Sequence, residues 1–102
     1  MLYKININDF EGPLDLLLFF IQRDKLNIYD IPISKITKDF FDYISMLNQL
    51  NIEVGGDFIY IASLLMRIKS RMLLPREKNE LEEEIDPRTD LVSKLIEYKK
   101  FK

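Results

Sequence analysis

The sequence predicts a mainly all-α fold, built as a small bundle of three helices with a long central helix. A short N-terminal strand or arm precedes the bundle, and a fourth helix follows an acidic linker. Apolar residues recur at intervals of three and four along most of the chain, and prolines and glycines stand at the expected helix ends. The 102 residues suffice for one modest core, which buries about 60–65% of the unfolded chain's surface.

The longest helical pattern, residues 57–75, is the predicted central helix. Gly55 and Gly56 precede it, and Asp57 is the predicted N-cap because its carboxylate can accept hydrogen bonds from the first free amides. Pro75 disfavours helical backbone at the residue before it and therefore ends the helix. The polar positions share one narrow sector, so we expect this helix to have neighbours on two sides.

Two apolar stripes run along the central helix, each with the alternating spacing of three and four that faces a neighbouring helix. The inner stripe is bulky and unbroken: Phe58, Ile61, Leu65, Ile68 and Met72. The outer stripe includes a small, a flexible and a charged residue: Ile59, Ala62, Met66, Lys69 and Leu73. We expect the inner stripe to pack in the core and the outer stripe to bind a partner. The alternative, that the outer stripe forms a second wall of the core, stays open.

The segments before the central helix fit the same bundle. Residues 2–8 alternate apolar and polar side chains, which predicts a short strand or an extended arm. Pro13 opens a strongly apolar, mostly buried helix at a position where its missing N–H is not needed. An amphipathic helix of about four to five turns follows Pro32, with one apolar face: Ile33, Ile36, Phe40, Tyr43, Ile44, Leu47 and Leu50.

The composition changes after Pro75. Residues 76–85 are nearly all charged, which predicts a solvated linker. Asp86 and Pro87 cap and open a further amphipathic helix, and the linker is too polar to cover its apolar stripe: Leu91, Leu95 and Tyr98. The helical pattern is still running where the sequence stops. The predicted units are therefore a helical domain at 1–75, a linker at 76–85, and at 86–102 the start of a helical region that continues in a longer protein.

The composition argues against several kinds of site. There is no Cys, His or Trp, which removes thiol chemistry, disulfides and the zinc sites that Cys or His build. We predict no catalytic residue, metal site or cofactor, because no motif places the carboxylates in a pocket. No apolar run approaches the roughly 20 residues that a membrane span needs. We expect a soluble, cytoplasmic protein that is not an enzyme and has no membrane role.

Charge is unevenly distributed along the chain. The formal net charge is −2, yet residues 76–90 alone carry seven acidic and three basic side chains, so the rest of the chain is weakly positive. Arg67, Lys69 and Arg71 form a candidate patch for contacts with DNA, which keeps a DNA-binding helical domain open as the alternative function. A solvated face with one snorkelling lysine is the plainer interpretation, since an extended basic face is missing.

Five segments of the chain, in the right order, closely resemble segregation and condensation protein A, the bacterial kleisin family. They are residues 10–18 (FEGPLDLLL), 30–33 (DIPI) with Ile36 and Thr37, 68–75 (IKSRMLLP), 86–88 (DPR) and 97–102 (EYKKFK). The resemblance spans essentially the whole chain but only the N-terminal region of the family. The departures are small: residues 57–59 (DFI) stand where the family more often has Glu-Phe-Leu, and the Gly55–Gly56 pair is more flexible than usual.

The resemblance implies a connector without catalytic activity. In this family the N-terminal helical domain binds the coiled-coil neck beside one SMC ATPase head, and the C-terminal domain grips the other head. The resulting ring closes around DNA and serves chromosome condensation and segregation in the cell cycle.

Applied to this chain, the resemblance assigns two interfaces. The outer stripe would be the interface with the SMC neck, and Leu91, Leu95 and Tyr98 would contact the dimeric partner, segregation and condensation protein B. DNA would be contacted only indirectly through the complex, at the nucleoid in the cytoplasm. Self-association of the chain through its spare surface stays open.

Overall fold

The computed structural model describes residues 10–74 and 86–101. Within these ranges the chain forms four α-helices and no strand: α1 (Pro13–Arg23), α2 (Ile33–Gln49), α3 (Gly56–Leu73) and α4 (Thr89–Phe101). This part of the chain is all-α, as predicted, but it packs four helices together where three were expected. The predicted strand or arm at 2–8 and the predicted linker at 76–85 lie outside the described residues.

Helix α1 occupies the centre of the bundle, because it packs on α2, α3 and α4. It begins with the predicted proline at its first position. Its buried side chains surround the helix: Pro13, Asp15, Leu16, Leu17, Leu18, Phe20 and Ile21. The expectation that α3 is central is therefore wrong, although α3 is the longest of the described helices. A helix that is apolar all round needs neighbours on every side, and α4 supplies the neighbour that α2 and α3 leave missing.

Helices α1 and α2 end in the same kind of turn. After α1, Lys25 adopts a positive φ of 54°, and the Leu26 amide donates to the Ile21 carbonyl at 2.9 Å. After α2, Asn51 adopts a φ of 58°, and the Ile52 amide donates to the Leu47 carbonyl at 2.9 Å. This is the Schellman pattern, which satisfies the last carbonyls of a helix and reverses the chain. Both turns form without the glycine that usually marks them.

An ion cluster closes the corner between α1 and α2. Arg23 and Lys35 each donate to both Asp24 and Asp39, at distances between 2.6 and 3.1 Å. Hydrogen bonds from Arg23 and then Lys35 hold the pKa of the Asp24 carboxyl well below its usual range. The Asp24 carboxylate therefore stays charged at neutral pH, and the four side chains join the end of α1 to the first turns of α2.

Helix α3 begins at Gly56, with Gly55 in the N-cap position, so the prediction of Asp57 as N-cap is wrong. Asp57 lies in the first turn, where its carboxylate accepts from the Phe58 amide at 2.9 Å. A negative charge there still interacts favourably with the helix dipole. At the other end Leu74 is extended, with ψ of 144°, as the proline that follows it in the sequence requires.

Helix α4 packs along α1, which overturns the expectation that its apolar stripe is exposed. Leu91 and Leu95 are fully buried in the common core. Tyr98 is partly buried, and its hydroxyl donates to the Glu11 carboxylate, just before α1, at 2.8 Å. Burial of the two leucines against an otherwise uncovered face of α1 removes apolar surface from water on both helices, which favours docking over exposure.

The start of α4 lies two residues beyond the predicted one. The helix begins at Thr89, whereas Pro87 was expected at its first position. The Asp86 carboxylate accepts from the Arg88 amide at 2.9 Å, and the Thr89 hydroxyl donates to the Asp86 carbonyl at 2.8 Å. Asp86 thus organises a turn before the helix instead of capping the helix directly.

Candidate partner-binding surface

The outer stripe of α3 lies mainly on the protein surface. Its members at intervals of seven are the most exposed: Ile59 is 57% exposed, Met66 58% and Leu73 71%. The inner stripe packs in the core, as predicted, with Ile61, Leu65 and Ile68 buried and Phe58 and Met72 partly buried. A line of apolar side chains spaced by seven on an exposed helix has the repeat by which helices pack into coiled coils.

The two other members of the outer stripe lie between this line and the core. Ala62 is only 8% exposed, so it is part of the domain's own packing and presents little surface to a partner. Lys69 is partly buried and lies toward α2, where it lines a groove. Its aliphatic stem can pack against apolar neighbours while its ammonium group stays at the edge.

A surface groove of about 460 Å³ lies between α2 and the second half of α3. Helix α3 contributes Met66, Lys69, Ser70 and Leu73 to its walls, and α2 contributes Thr37 and Phe41. Helices α2 and α3 pack directly on each other, so the groove is a surface depression above their contact. Three of the five expected members of the outer interface therefore border one depression.

The α2 wall of this groove was missed by sequence reasoning. Thr37 and Phe41 are one turn apart on α2 and border its apolar face, so their spacing was the available signal. Thr37 is buried, and its hydroxyl oxygen has no hydrogen-bond partner in the described part of the chain. Phe41 is partly buried and contacts Phe40 edge-on, with ring centroids 6.5 Å apart.

Three cationic side chains flank the exposed line of α3. Lys69 lies on the side of α2. At 3.6 residues per turn, Arg67 and Arg71 lie about 100° and 140° from Met66 in the other direction around the helix. None of the three forms an ion pair within residues 10–74 and 86–101. Of the three cations, Lys69 is therefore the one nearest to the exposed line.

Further apolar side chains enlarge the exposed area. Tyr60 is 54% exposed in the first half of α3, and Leu74 directly follows the helix. Neither was assigned to a stripe from the sequence. Single exposed apolar residues are common on soluble proteins, whereas a continuous row along one helix marks a surface that binds another molecule.

Helix α4 presents no comparable surface. Leu91 and Leu95, two of the three residues expected to meet a second partner, have no accessible surface left. Burial and the hydrogen bond to Glu11 together raise the pKa of Tyr98 to about 12. The structure therefore uses this set of residues to hold α4 on α1, and the expectation of an exposed interface there is wrong.

Two other kinds of feature, a metal site and a membrane span, are absent from the part of the chain that the structure describes. These residues contain no group of three or more His, Cys, Asp or Glu side chains that could hold a metal ion. None of the described helices is long and apolar enough to cross a membrane.

Comparison with known proteins identifies the family. The family model for segregation and condensation protein ScpA matches residues 20–102. Proteins named segregation and condensation protein A are similar throughout the chain: one from Bacillus pumilus is 47% identical over 98% of this chain, one from Clostridium acetobutylicum 48% over 100%, and one from Xylella fastidiosa 49% over 97%. The chain covers 42%, 42% and 33% of their respective lengths. By sequence and by its matched region, the chain belongs to the segregation and condensation protein A family.

Proposed function

We propose that this chain is the N-terminal domain of a bacterial kleisin, a subunit without catalytic activity that acts in chromosome condensation and segregation. The domain binds the coiled-coil neck beside the ATPase head of an SMC protein, and the complete protein connects two such heads into a ring around DNA. The names of the relatives support the role in segregation and condensation. The kleisin mechanism and the SMC partner are part of the proposal.

The observation that carries the proposal is the exposed line of Ile59, Met66 and Leu73 on α3. A coiled-coil neck consists of helices with a repeat of seven, and a third helix joins such a pair most readily through side chains with the same repeat. The inner stripe of α3 is already occupied by the core, so the outer line is the face left for the neck.

Binding of the dimeric partner protein B belongs to the same proposal for the complete protein. Leu91 and Leu95 cannot form that interface while α4 is docked, because both are fully buried. We therefore place the contact with protein B outside these side chains.

A helical DNA-binding domain is the second candidate. It is favoured by Arg67, Lys69 and Arg71, which form no ion pair with any residue that the structure describes. Binding of DNA through phosphate contacts weakens steeply as the salt concentration rises. A gel shift with a short duplex at low and high salt tests this candidate. We expect no shift with the isolated chain, since three cations around an apolar line do not make an extended basic face.

The test of the leading proposal mixes the chain with an SMC fragment that contains the head and neck. Met66→Glu should weaken binding at least a hundredfold, about 3 kcal/mol, because a carboxylate buried at the interface without a partner is strongly unfavourable. Leu50→Glu is the matched control: Leu50 is 59% exposed, but it is the C-cap residue of α2 and does not belong to the stripe. Isothermal titration measures both variants, and circular dichroism checks that each stays folded.

A second variant separates loss of binding from loss of folding. Leu65→Glu introduces the same charge on the buried inner stripe, so it should unfold the domain. If Met66→Glu binds the neck like the unmodified chain, or if Met66→Glu unfolds the domain as Leu65→Glu does, the outer line is not the interface.

A further inference from the structure

We propose that α3 pairs side by side and antiparallel with α3 of a second copy of this chain, so that the chain forms a two-fold symmetric dimer. The pairing surface is the exposed face of α3, which carries two rows of side chains at intervals of seven. The first row is the outer line, Ile59, Met66 and Leu73, and the second is Tyr60, Arg67 and Leu74. This inference is independent of the proposed function, because it concerns the chain and its own copy.

The exposed apolar side chains along α3 have the same order from either end. One pair, Ile59 and Tyr60, lies near the start of the face, a second pair, Leu73 and Leu74, lies at its end, and Met66 is midway. When two such helices run antiparallel about a two-fold axis between positions 66 and 67, the first pair of each copy faces the last pair of the other. Met66 then lies beside its own copy. A symmetric dimer requires a surface that is complementary to itself in this way.

Two small residues, Ser63 and Ser70, lie between the rows, and both are exposed. They are equally distant from the same axis, so Ser63 of one copy faces Ser70 of the other. Helix axes pack about 8–10 Å apart, depending on the side chains at the contact, and small side chains permit the shorter distance. The apolar pairs at the two ends can therefore interlock while the serines face each other in the middle.

The charges of α3 favour the antiparallel direction. Asp57 is the one charged residue at positions 56–66, whereas Arg67, Lys69 and Arg71 follow at positions 67–74. An antiparallel copy places its negative half along the positive half of the first copy, and it also sets the two helix dipoles in opposition. A parallel copy would place the three cations of one helix along the same three cations of the other.

Two features make the dimer weak. Arg67 lies next to the axis, so it stands near the Arg67 of the second copy, and the like charges oppose association. The face is only about 24 Å long at 1.5 Å per residue, and an interface between two single helices falls in the class below about 1,200 Å² that is typical of transient contacts. We expect a dissociation constant on the order of 100 µM. The pairing covers the outer line, so a paired copy cannot hold another helix there.

Sedimentation equilibrium of the whole chain measures the association, at concentrations from about 10 µM to 1 mM that bracket the expected constant. Ser63→Trp should weaken the dimer by about tenfold or more, because a bulky side chain at the contact holds the helices apart. Ser63 is exposed, so this variant keeps the fold. Ser45→Trp, at an exposed position of α2, is the matched control and should associate like the unmodified chain. A chain that stays monomeric over this range, or equal association of Ser63→Trp and the unmodified chain, overturns the inference.

Disulfide formation tests the direction of the pair, because the chain has no cysteine of its own. Ser63→Cys mixed with Ser70→Cys in oxidised glutathione should form a linked dimer of the two different chains, since facing positions can bring their Cα atoms within the roughly 4.4–6.8 Å that a disulfide spans. Ser63→Cys alone should link much more slowly, because the two copies of residue 63 lie about 10 Å apart along the axis. Mass spectrometry identifies the products. Faster linkage of Ser63→Cys to itself indicates a parallel pair and overturns the antiparallel arrangement.

Charge reversal at Arg67 tests the position of the axis. Arg67→Glu mixed with the unmodified chain should associate about threefold or more tightly than either chain alone, because the mixed pair places a glutamate beside an arginine and each pure pair places like charges together. Arg71→Glu makes the same change farther from the axis, so its mixture should show no such preference. If the Arg67→Glu mixture also shows none, the axis does not lie between positions 66 and 67 and the inference is overturned. No SMC fragment takes part in these measurements, so their failure leaves the proposed function untouched.

Discussion

The guanidinium group of Arg88 donates a hydrogen bond of 2.7 Å to the carboxylate of Asp30, which precedes it by 58 positions. The same nitrogen donates to the carbonyl oxygen of Ile31 at 2.9 Å, and the other side of the group donates to Asp86. The hydrogen bonds to Asp86 and then Asp30 raise the pKa of Arg88 above its usual value. One planar side chain thereby attaches the start of α4 to the corner between α1 and α2.

Arg88→Lys should loosen this attachment, because an ammonium group cannot make the paired, planar contacts of a guanidinium. We expect the free energy of unfolding to fall by about 1.5–3 kcal/mol, the range for hydrogen bonds to charged groups. Denaturation with urea provides the measurement. Lys94→Met is the control, since the pair of Lys94 with Asp90 is exposed and 3.5 Å long and should change stability by less than about 0.5 kcal/mol. Equal effects of the two changes would contradict the role given to Arg88.

Leu95→Ala should destabilise the whole bundle and not only α4. Leu95 is fully buried in the common core, and truncation of such a leucine lowers the free energy of unfolding by about 2–5 kcal/mol. Ile96→Ala, at the partly buried neighbouring position, should have a smaller effect.

Hydrogen exchange gives a second measure of the same docking. In the unmodified chain at low concentration, the amides of α4 should be protected to a degree comparable with α1. Exchange of α4 at the rate of a free helix, with α1 still protected, would show that the two helices do not pack together in solution.

The contact of α4 with the start of α1 should weaken at alkaline pH. Burial, followed by the hydrogen bond to Glu11, raises the pKa of Tyr98 from 10.0 to about 12. In the unfolded chain the phenol ionises at the lower value, so the stabilisation is complete below about pH 10 and is lost as the pH rises through about 12. Tyr98→Phe should remove this part of the pH dependence, as measured by urea denaturation at a series of pH values. Burial also raises the pKa of Tyr43, so Tyr43→Phe is the comparison. If Tyr98→Phe leaves the alkaline profile unchanged, neither the burial of Tyr98 nor its bond to Glu11 contributes to the pH dependence.

Lys25→Gly should stabilise the protein. Lys25 holds a φ of 54°, a conformation that is unfavourable for most L-residues by about 1–2 kcal/mol. Glycine removes this strain but has more freedom to lose on folding, so we expect a net gain of up to about 1 kcal/mol. Asn51→Gly at the equivalent turn should gain less, because asparagine tolerates a positive φ. Thermal denaturation of the two variants makes the comparison, and a lower melting temperature for Lys25→Gly would contradict it.

Much of the fold followed from local signals. Pro13 placed the start of α1, and the residue before Pro75 ended α3, because proline restricts the backbone of its immediate neighbours. The separation of α3 into an inner and an outer stripe was also predictable, since helical spacing alone sorts side chains onto faces. The Schellman turns after α1 and α2 were not predicted, because Lys25 and Asn51 stand where a glycine usually marks such a turn.

The candidate site was predictable only in part. The exposed line of α3 repeats every seven residues and can be found without coordinates. The groove needed the register of α2 against α3, which brings Thr37 and Phe41 beside Met66 and Leu73. That register depends on how side chains of two separate helices interlock, and no spacing within one helix contains it.

By itself, the sequence determined which segments are helical, which family the chain resembles, and that α3 carries two apolar stripes. The tertiary structure alone decided that α1 is the central helix and that α4 returns to cover it. Leu91 and Leu95 form an apolar stripe whether they meet α1 or another protein. Their burial depends on an uncovered face of α1, which lies more than sixty positions away in the chain. Helical periodicity shows that a stripe will be buried, but only packing across the bundle determines the surface that buries it.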